Sequence, residues 1–171
     1  MRKSQNKTLN NNIIMKYYYL NEWFEISSDR ETVKNQYIYL LSQLSTVDYM
    51  SVEMFEDSIK KISKMGDIIV CVDDQTILGS NPIVGTGTII YEPKILHGGK
   101  YVGHIEDIVV DEPHRGHEIA SEIIKKLVES AKIRNCYKVI LNCSEFMEKY
   151  YERRGFTKNG AEMAIYFQAQ K

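Results

Sequence analysis

One segment of the chain combines residue types that bind anions with a change from strand to helix. Residues 108–110 are β-branched, Arg115 and Gly116 follow, and apolar residues recur with helical spacing from Ile119. The first turn of a helix has unpaired backbone N–H groups and a positive dipole end, which together can hold a phosphate or a diphosphate. Arg115 can pair with such a group, and Gly116 allows its close approach. A strand followed by a helix is also common architecture, so this segment alone leaves both interpretations open.

Two adjacent carboxylates and a tyrosine are further residues with chemical potential. Glu106 and Asp107 stand side by side in a predicted strand, where neighbouring side chains point to opposite faces. One of them can therefore face a cleft and hydrogen-bond an amine, whereas either can also be merely solvated. Tyr151 lies in a predicted short helix that faces the sheet. Its phenol is protonated near neutral pH and can donate a proton, or the ring can simply be packed.

Apolar periodicity predicts the elements that position these residues. We predict strands at residues 23–26, 68–72, 83–91, 102–110, 137–143 and 162–167. We predict amphipathic helices at residues 30–44, 51–62, 117–133 and 144–154, with Gly155 after the last one and a turn at 97–100. A three-strand meander followed by a βαβ unit predicts an α/β (α+β) fold, in which one mixed sheet is flanked by helices.

Composition is that of one globular domain. Among the 171 residues, 43% are hydrophobic and 26% are charged, which excludes wholesale disorder. The 22 basic and 23 acidic residues nearly balance, which argues against a dedicated nucleic-acid-binding protein. No apolar stretch approaches the roughly 18 residues of a membrane-spanning helix. Residues 1–14 are polar and rich in Asn, so we expect a flexible tail before a single domain at 15–171.

The cysteines and histidines suggest neither a disulfide framework nor a metal site. Cys71, Cys136 and Cys143 are odd in number and form no CxxC pair. The four histidines show no spacing of paired metal ligands, so we expect no metal. The first residues carry no apolar run typical of a secretory signal, and we expect a cytoplasmic protein.

A family resemblance emerges from four motifs. Residues 115–120 resemble the acyl-CoA loop of the GNAT superfamily of N-acetyltransferases, (Arg/Gln)-x-x-Gly-x-(Gly/Ala), with Glu118 at the Gly position. Residues 103–110 are similar to the Gly-His-Ile-Glu-Asp-Ile-x-Val signature of glucosamine 6-phosphate N-acetyltransferases. Residues 136–143 and 150–156 resemble that family's Cys-Tyr-Lys-x-x-Leu-Asp-Cys and Phe-Tyr-Glu-Lys-x-Gly-Phe motifs. The resemblance extends from about residue 82 to 167 and, more weakly, to residues 44–47.

The resemblance implies the GNAT fold and acetyl transfer from acetyl-CoA to the 2-amine of D-glucosamine 6-phosphate. The amine would attack the thioester directly in a ternary complex, and the product would enter UDP-N-acetylglucosamine synthesis. Family members are homodimers that share the sugar site through the last strand, so we expect a homodimer. Two alternatives stay open: an N-acetyltransferase of another amine, and a non-catalytic acyl-CoA-binding sensor.

The resemblance also assigns roles to individual residues. The catalytic residues that it implies are Glu106, Asn142 and Tyr151, the last as proton donor to the departing thiolate. The acetyl-CoA contacts are Ile108, Val109, Val110, Arg115, Gly116, His117, Ile119, Ala120, Ser121, Asn142 and Tyr151. The glucosamine 6-phosphate contacts are Ser45, Lys94, His97, Glu106, Asp107, Ile108, Tyr137 and Lys138.

Three residues depart from the family pattern. Asn142 replaces an Asp associated with the amine proton, so the backbone carbonyl there or another group, such as Glu106 through water, must accept it. Glu118 replaces the loop Gly, and we expect its side chain to turn outward, away from the like charge of the diphosphate. Tyr166 replaces an Arg that touches the sugar phosphate, which leaves Lys94, His97 and Lys138 as phosphate contacts or as ordinary solvated charges.

Overall fold

The computed structural model describes residues 15–73 and 82–167. The tail predicted at residues 1–14 lies outside the described residues, as do the last four residues of the chain. Within this part, a single mixed sheet is covered by helices on both faces, which confirms the predicted fold class.

Five strands of the described chain form the sheet in sequence order. They are β1 Met15–Tyr19, β2 Gly66–Asp73, β3 Ile83–Pro93, β4 Tyr101–Val110 and β5 Cys136–Leu141. The pairings from β1 to β4 are antiparallel, and β4 pairs with β5 in parallel. The predicted meander and βαβ unit are therefore both present.

The helices of the described chain are α1 Leu20–Ile26, α2 Arg30–Leu41, α3 Val52–Ser63, α4 Leu96–Gly99, α5 Ile119–Ile133 and α6 Glu148–Glu152. Side chains cap the N-termini of α2 and α3. Asp29 accepts a hydrogen bond from the N–H of Thr32 at 3.0 Å, and Ser51 accepts one from the N–H of Met54 at 3.2 Å. α4 is a tight turn rather than a true helix, because His97 and Gly98 have left-handed backbones.

Two apolar layers sandwich the sheet. α1, α2 and α3 bury Leu20, Leu40 and Phe55 against one face, and α5 buries Ile123 and Leu127 against the other. On β3, Gly87 lets α5 lie close, since a Cβ at this position would stand 2.7 Å from Cγ2 of Ile123. This close packing fixes the start of α5 beside the end of β4.

The strand predicted at residues 23–26 is wrong. These residues belong to α1, and the first strand lies earlier, at Met15–Tyr19. The reason is the spacing of Leu20 and Phe24, which are four residues apart and bury the same helical face. The ring of Phe24 then packs edge-on against Phe55 of α3, with centroids 5.6 Å apart.

The last strand predicted at residues 162–167 is also wrong for the single chain. No strand follows β5 within the described residues, and residues 162–167 are all exposed. The side chains of Met163, Ile165 and Phe167 are 94%, 83% and 96% exposed. The alternation of apolar side chains along residues 162–167 is suited to a strand. A strand is not stable, however, unless it pairs with another strand.

Smaller boundary errors concern the site. The helix predicted from His117 begins at Ile119, because Glu118 has a left-handed backbone. The strand predicted to Cys143 ends at Leu141. The helix predicted at 144–154 is a 3-10 turn, Glu145–Met147, followed by the short α6, and the side chain of Ser144 caps neither.

Candidate active site

β4 separates from β5, the strand at one edge of the described sheet. Their parallel pairing ends at Ile105 and Leu141, so the remainder of β4 hydrogen-bonds only with β3 among the described strands. A bulge accompanies the separation, because two residues of β4, Asp107 and Ile108, face the single residue Gly87. Asp107 has a left-handed backbone with φ of 53°. Regular alternation along the strand predicted that Glu106 and Asp107 point to opposite faces. The bulge interrupts this alternation at Asp107.

A groove of about 290 Å3 occupies this opening. It is lined by Ile108, Val110, His114, Arg115, Gly116, Glu118, Ile119, Ala120, Met147, Tyr150 and Tyr151. One wall is the end of β4, the floor is the start of α5, and the other wall is α6 with the turn before it. Seven of the residues predicted to contact acetyl-CoA, from three separate segments, thus line one groove.

The start of α5 leaves its first amides open toward the groove. The first helical bond runs from the N–H of Glu122 to the carbonyl of Glu118 at 3.0 Å, so the N–H groups of Ile119, Ala120 and Ser121 precede the helical ladder. Glu118 makes no side-chain cap bond to them. Together with the left-handed backbone of Gly116, these donors form the anion-binding geometry that the sequence predicts.

Arg115 is fixed at the mouth of the groove. Its Nε donates to the carbonyl of Val110 at 3.0 Å, and its Nη2 donates to Oε1 of Gln43 at 3.4 Å. Gln43 in turn donates from Nε2 to Oδ1 of Asp111 at 2.6 Å. Since Gln43 follows α2, the loop is tied to the helical layer behind it, and the guanidinium keeps donors available for a phosphate.

Tyr151 contributes its phenol to the groove. Its ring lies edge-on to Tyr150 and Phe156, with centroids 5.2 Å and 5.9 Å apart. Burial raises the pKa of Tyr151, and the ionisable neighbours Tyr150 and Cys143 add to the rise. The phenol therefore stays protonated throughout the neutral range and can donate a proton.

Glu106 and Asp107 lie immediately before the groove residue Ile108. Partial burial and the neighbouring Asp107 charge raise the pKa of Glu106, and Glu162 of the C-terminal segment adds to the rise. Partial burial also raises the pKa of Asp107. A carboxylate with a raised pKa is a better proton acceptor near neutral pH than a free one.

The residues predicted to hold the sugar phosphate form a separate cluster. His97 and Tyr137 stack with ring centroids 4.0 Å apart, and Nζ of Lys138 lies 5.7 Å from the Tyr137 centroid. Lys94 is paired with Glu92 nearby in sequence. Lys138 pairs in register with Val102, four residues before Glu106, which corresponds to about 13 Å along the strand. The single chain therefore does not bring this cluster to the carboxylates.

Some predicted residues lie outside the groove. Val109 is buried on the α2 face, His117 is exposed with Nδ1 3.2 Å from the carbonyl of His114, and Ser121 bonds with Arg154. Asn142 is exposed just after β5, and Ser45 is exposed beyond α2. The role of each remains a prediction.

The sequence prediction missed four residues of the site. His114, Met147 and Tyr150 line the groove, and Arg154 packs behind Tyr150. Tyr150 and Arg154 fall within the motif at 150–156, and that motif was the signal available for them. The contact of Arg154 with Ser121 of α5 joins residues 33 positions apart, which no local pattern reveals.

The described residues contain neither a metal-binding cluster nor a membrane-spanning helix. Among residues 15–73 and 82–167, no three His, Cys, Asp or Glu side chains cluster closely enough to hold a metal ion. No helix in the same ranges is long and apolar enough to span a bilayer.

Comparison with known proteins agrees with this geometry. A sequence profile of the acetyltransferase (GNAT) family matches residues 35–156. The chain belongs to the GNAT acetyltransferase family. As a member of it, the protein is an acetyl-CoA-dependent N-acetyltransferase. Residues of the segment 115–120, which resembles the family's acyl-CoA loop, line the groove.

Relatives and solved structures extend this family assignment. The chain is 38% identical to probable glucosamine 6-phosphate N-acetyltransferase 2 of Oryza sativa, over 77% of this chain and 80% of the relative. It is 34% identical to glucosamine 6-phosphate N-acetyltransferase of Arabidopsis thaliana, over 84% and 93%. The crystal structure of an Arabidopsis thaliana glucosamine-6-phosphate N-acetyltransferase superposes with a TM-score of 0.78 at 28% identity, covering 91% of this chain and 99% of that one. An acetyltransferase of Trypanosoma brucei superposes with a TM-score of 0.75 at 28% identity, covering 90% and 100%.

Proposed function

We propose that this GNAT acetyltransferase transfers acetyl from acetyl-CoA to the 2-amine of D-glucosamine 6-phosphate. The observation that carries the proposal is the placement of Glu106 and Asp107, two carboxylates with raised pKa values, directly before the groove. Carboxylates can orient an amine and a sugar hydroxyl together. The names of relatives that share most of the chain's length support this substrate.

Acetyl-CoA would bind through backbone on one side and the helix start on the other. The edge of β4 at Ile108–Val110 faces the groove without a β5 partner, so the amides of a pantetheine arm can pair with it as an added strand would. The diphosphate would rest on the first amides of α5 and on Arg115. This placement directs the thioester toward Tyr151 at the inner end of the groove.

The amine proton needs an acceptor other than the side chain of Asn142, since an amide is not a base near neutral pH. We assign this role to Glu106, acting directly or through one water molecule. The raised pKa of Glu106 makes its carboxylate a stronger base than a free glutamate. Asp107 would then orient the sugar.

In the reaction, the neutral amine nitrogen attacks the thioester carbonyl carbon and forms the C–N bond. The tetrahedral intermediate collapses with cleavage of the C–S bond. Glu106 takes the proton from nitrogen, and the phenol of Tyr151 gives a proton to the departing thiolate. The products are the amide and CoA thiol, and no covalent enzyme intermediate forms.

A homodimer would complete the part of the site that binds the sugar, which we call the acceptor end. The exposed segment 162–167 presents alternating apolar side chains, which suits pairing with the sheet of a second copy. Such pairing could also bring the Lys138 cluster of one copy to the Glu106 of the other. We expect a dimer by light scattering coupled to size exclusion, and we expect the double variant M163E/I165E to elute as a monomer. A native monomer would overturn this arrangement.

Thiol release from acetyl-CoA tests the substrate assignment. Purified protein is assayed with glucosamine 6-phosphate, with free glucosamine and with amines of other classes, namely an amino acid, a polyamine and a peptide N-terminus. We expect kcat/KM to be highest for glucosamine 6-phosphate. Equal values with and without the 6-phosphate would contradict the sugar-phosphate assignment.

A second candidate function is acetylation of another amine. Tyr166, where the resemblance places an Arg, is 67% exposed and offers no cation for a phosphate. Faster thiol release with one of the other amines would favour this candidate. Tight CoA binding without release for any amine would instead indicate a non-catalytic sensor.

A further inference from the structure

Glu118 places a negative charge at the start of the helix that should receive the acyl-CoA diphosphate. Its backbone is left-handed, with φ of 57°, and it lines the groove. The side chain is 80% exposed, and the expected outward turn away from the diphosphate stays a prediction. Exposure alone does not remove the charge, and an unpaired carboxylate here would repel a diphosphate on the neighbouring amides.

Arg154, which follows α6 and packs against Tyr150, pairs with this carboxylate. Its Nη2 lies 3.4 Å from Oε2 of Glu118, and its Nε donates to Oγ of Ser121 at 3.1 Å. Ser121 also donates to Oε2 of Glu118. The guanidinium of Arg154 therefore binds both Glu118 and Ser121 at the start of α5.

The guanidinium is held firmly in this position. Its Nη1 donates to the carbonyl of Tyr150 at 2.7 Å, and its central carbon lies 3.4 Å from the Tyr150 ring centroid. The Arg154 side chain is only 19% exposed. A cation fixed by stacking and by a backbone carbonyl loses little further entropy when it pairs with an acid.

We propose that Arg154 is a positioning residue for acyl-CoA binding, because it neutralises Glu118 and keeps its carboxylate away from the diphosphate. The proposal rests on the acyl-CoA site described above. In this chain the pair of Glu118 and Arg154 does what a glycine does in the family loop, which is to leave the first amides of α5 free for an anion. Arg154 matters for binding only because Glu118 is present.

A double-mutant cycle that removes the two charges tests the coupling. CoA affinity is measured by titration calorimetry for the native protein, E118Q, R154Q and E118Q/R154Q. We expect R154Q to weaken CoA binding about tenfold, or about 1.4 kcal/mol. We expect E118Q and the double variant to stay within about threefold of native, so that removal of the acid restores affinity.

Two controls separate charge from folding. R154K keeps the cation, and lysine is close to arginine in length. Its CoA affinity should therefore lie closer to native than that of R154Q. R153Q removes a positive charge from the exposed neighbouring residue and should leave the affinity unchanged. Thermal unfolding without ligand shows whether each variant is folded at the temperature of titration.

Three outcomes would overturn the proposal. Equal losses from R154Q in the native and E118Q backgrounds would mean that Arg154 contacts the phosphates or is merely structural. Unchanged affinity in R154Q would mean that Glu118 needs no partner. Failure of the native protein to bind CoA would remove the site itself. The titration contains no amine, so an error in the sugar assignment leaves these results unaffected.

Discussion

The two ends of the groove are built in different ways. The acyl-CoA end is assembled within one chain from the backbone edge of β4, the amides of α5 and Tyr151 of α6. The predicted acceptor end is divided between the carboxylates at Glu106 and a cluster around Lys138 about 13 Å away along the strand. In the proposed function, the cosubstrate would therefore meet mainly backbone groups, with Arg115 and Tyr151 as side-chain contacts. The proposed acceptor would instead depend on side chains from several segments, which the single chain does not bring together.

Glu106→Gln should have the largest effect. If Glu106 accepts the amine proton, kcat/KM for glucosamine 6-phosphate should fall about 10²- to 10⁴-fold. A base works only when deprotonated, so native activity should rise with pH through the raised pKa of Glu106, above the range of a free carboxyl group. The variant should lack this acid limb in its pH profile and should bind CoA as the native protein does. An unchanged acid limb would assign it to another group.

Tyr151→Phe should have the next largest effect. A thiolate leaves more readily than most groups, so loss of the proton donor should lower kcat only about tenfold to a hundredfold. The pKa of Tyr151 is raised by burial, and its phenol donates only while protonated. Native activity should therefore decline only at pH values above the ordinary range of tyrosine, and the variant should lose that decline. Stopped-flow thiol release across pH would measure both the fall in kcat and the decline in activity at high pH.

Lys138→Ala tests whether the distant cluster belongs to the acceptor end. Loss of a charged hydrogen bond should raise KM for glucosamine 6-phosphate about tenfold. KM for free glucosamine and the affinity for CoA should not change. Lys125→Ala is the matched control, since Lys125 pairs with Glu122 on the outer side of α5. Equal rises in KM for both sugars would exclude a phosphate contact.

Glu118→Gly should have the smallest effect. An exposed carboxylate that is already paired contributes little, so CoA affinity should change by no more than about twofold. Calorimetric titration of the variant measures this directly. A large gain in affinity would show that the Glu118 side chain hinders the diphosphate in spite of Arg154.

The sequence predicted the strand and the helix that border the groove because these elements are contiguous. Strand, loop and helix follow one another from Ile108 to Ala120, and each has a local signature. The contacts of Arg154 with Ser121 join residues 33 positions apart, and no periodicity encodes them. The separation of β4 from β5 depends on a bulge at Asp107, an ordinary-looking residue with a left-handed backbone.

Errors elsewhere have equally physical causes. A short aromatic run can form a strand or a helix, and only the packing of Leu20 and Phe24 against the core decides for α1. The alternation at 162–167 indicates a strand but does not supply its partner, which the described chain lacks. Local pattern thus predicts which conformation a segment prefers, and tertiary contacts decide whether it forms.

The separation of β4 from β5 also links the enzyme's stability to its cosubstrate. Beyond Ile105, the peptide groups on the β5 side of β4 form a seam that has no strand partner among the described residues. An occupant that bonds to this seam would bind only the folded state, and at a hundred times its dissociation constant it would add about 2.7 kcal/mol to the free energy of unfolding. Saturation of the proposed site with acetyl-CoA would therefore raise the enzyme's resistance to unfolding.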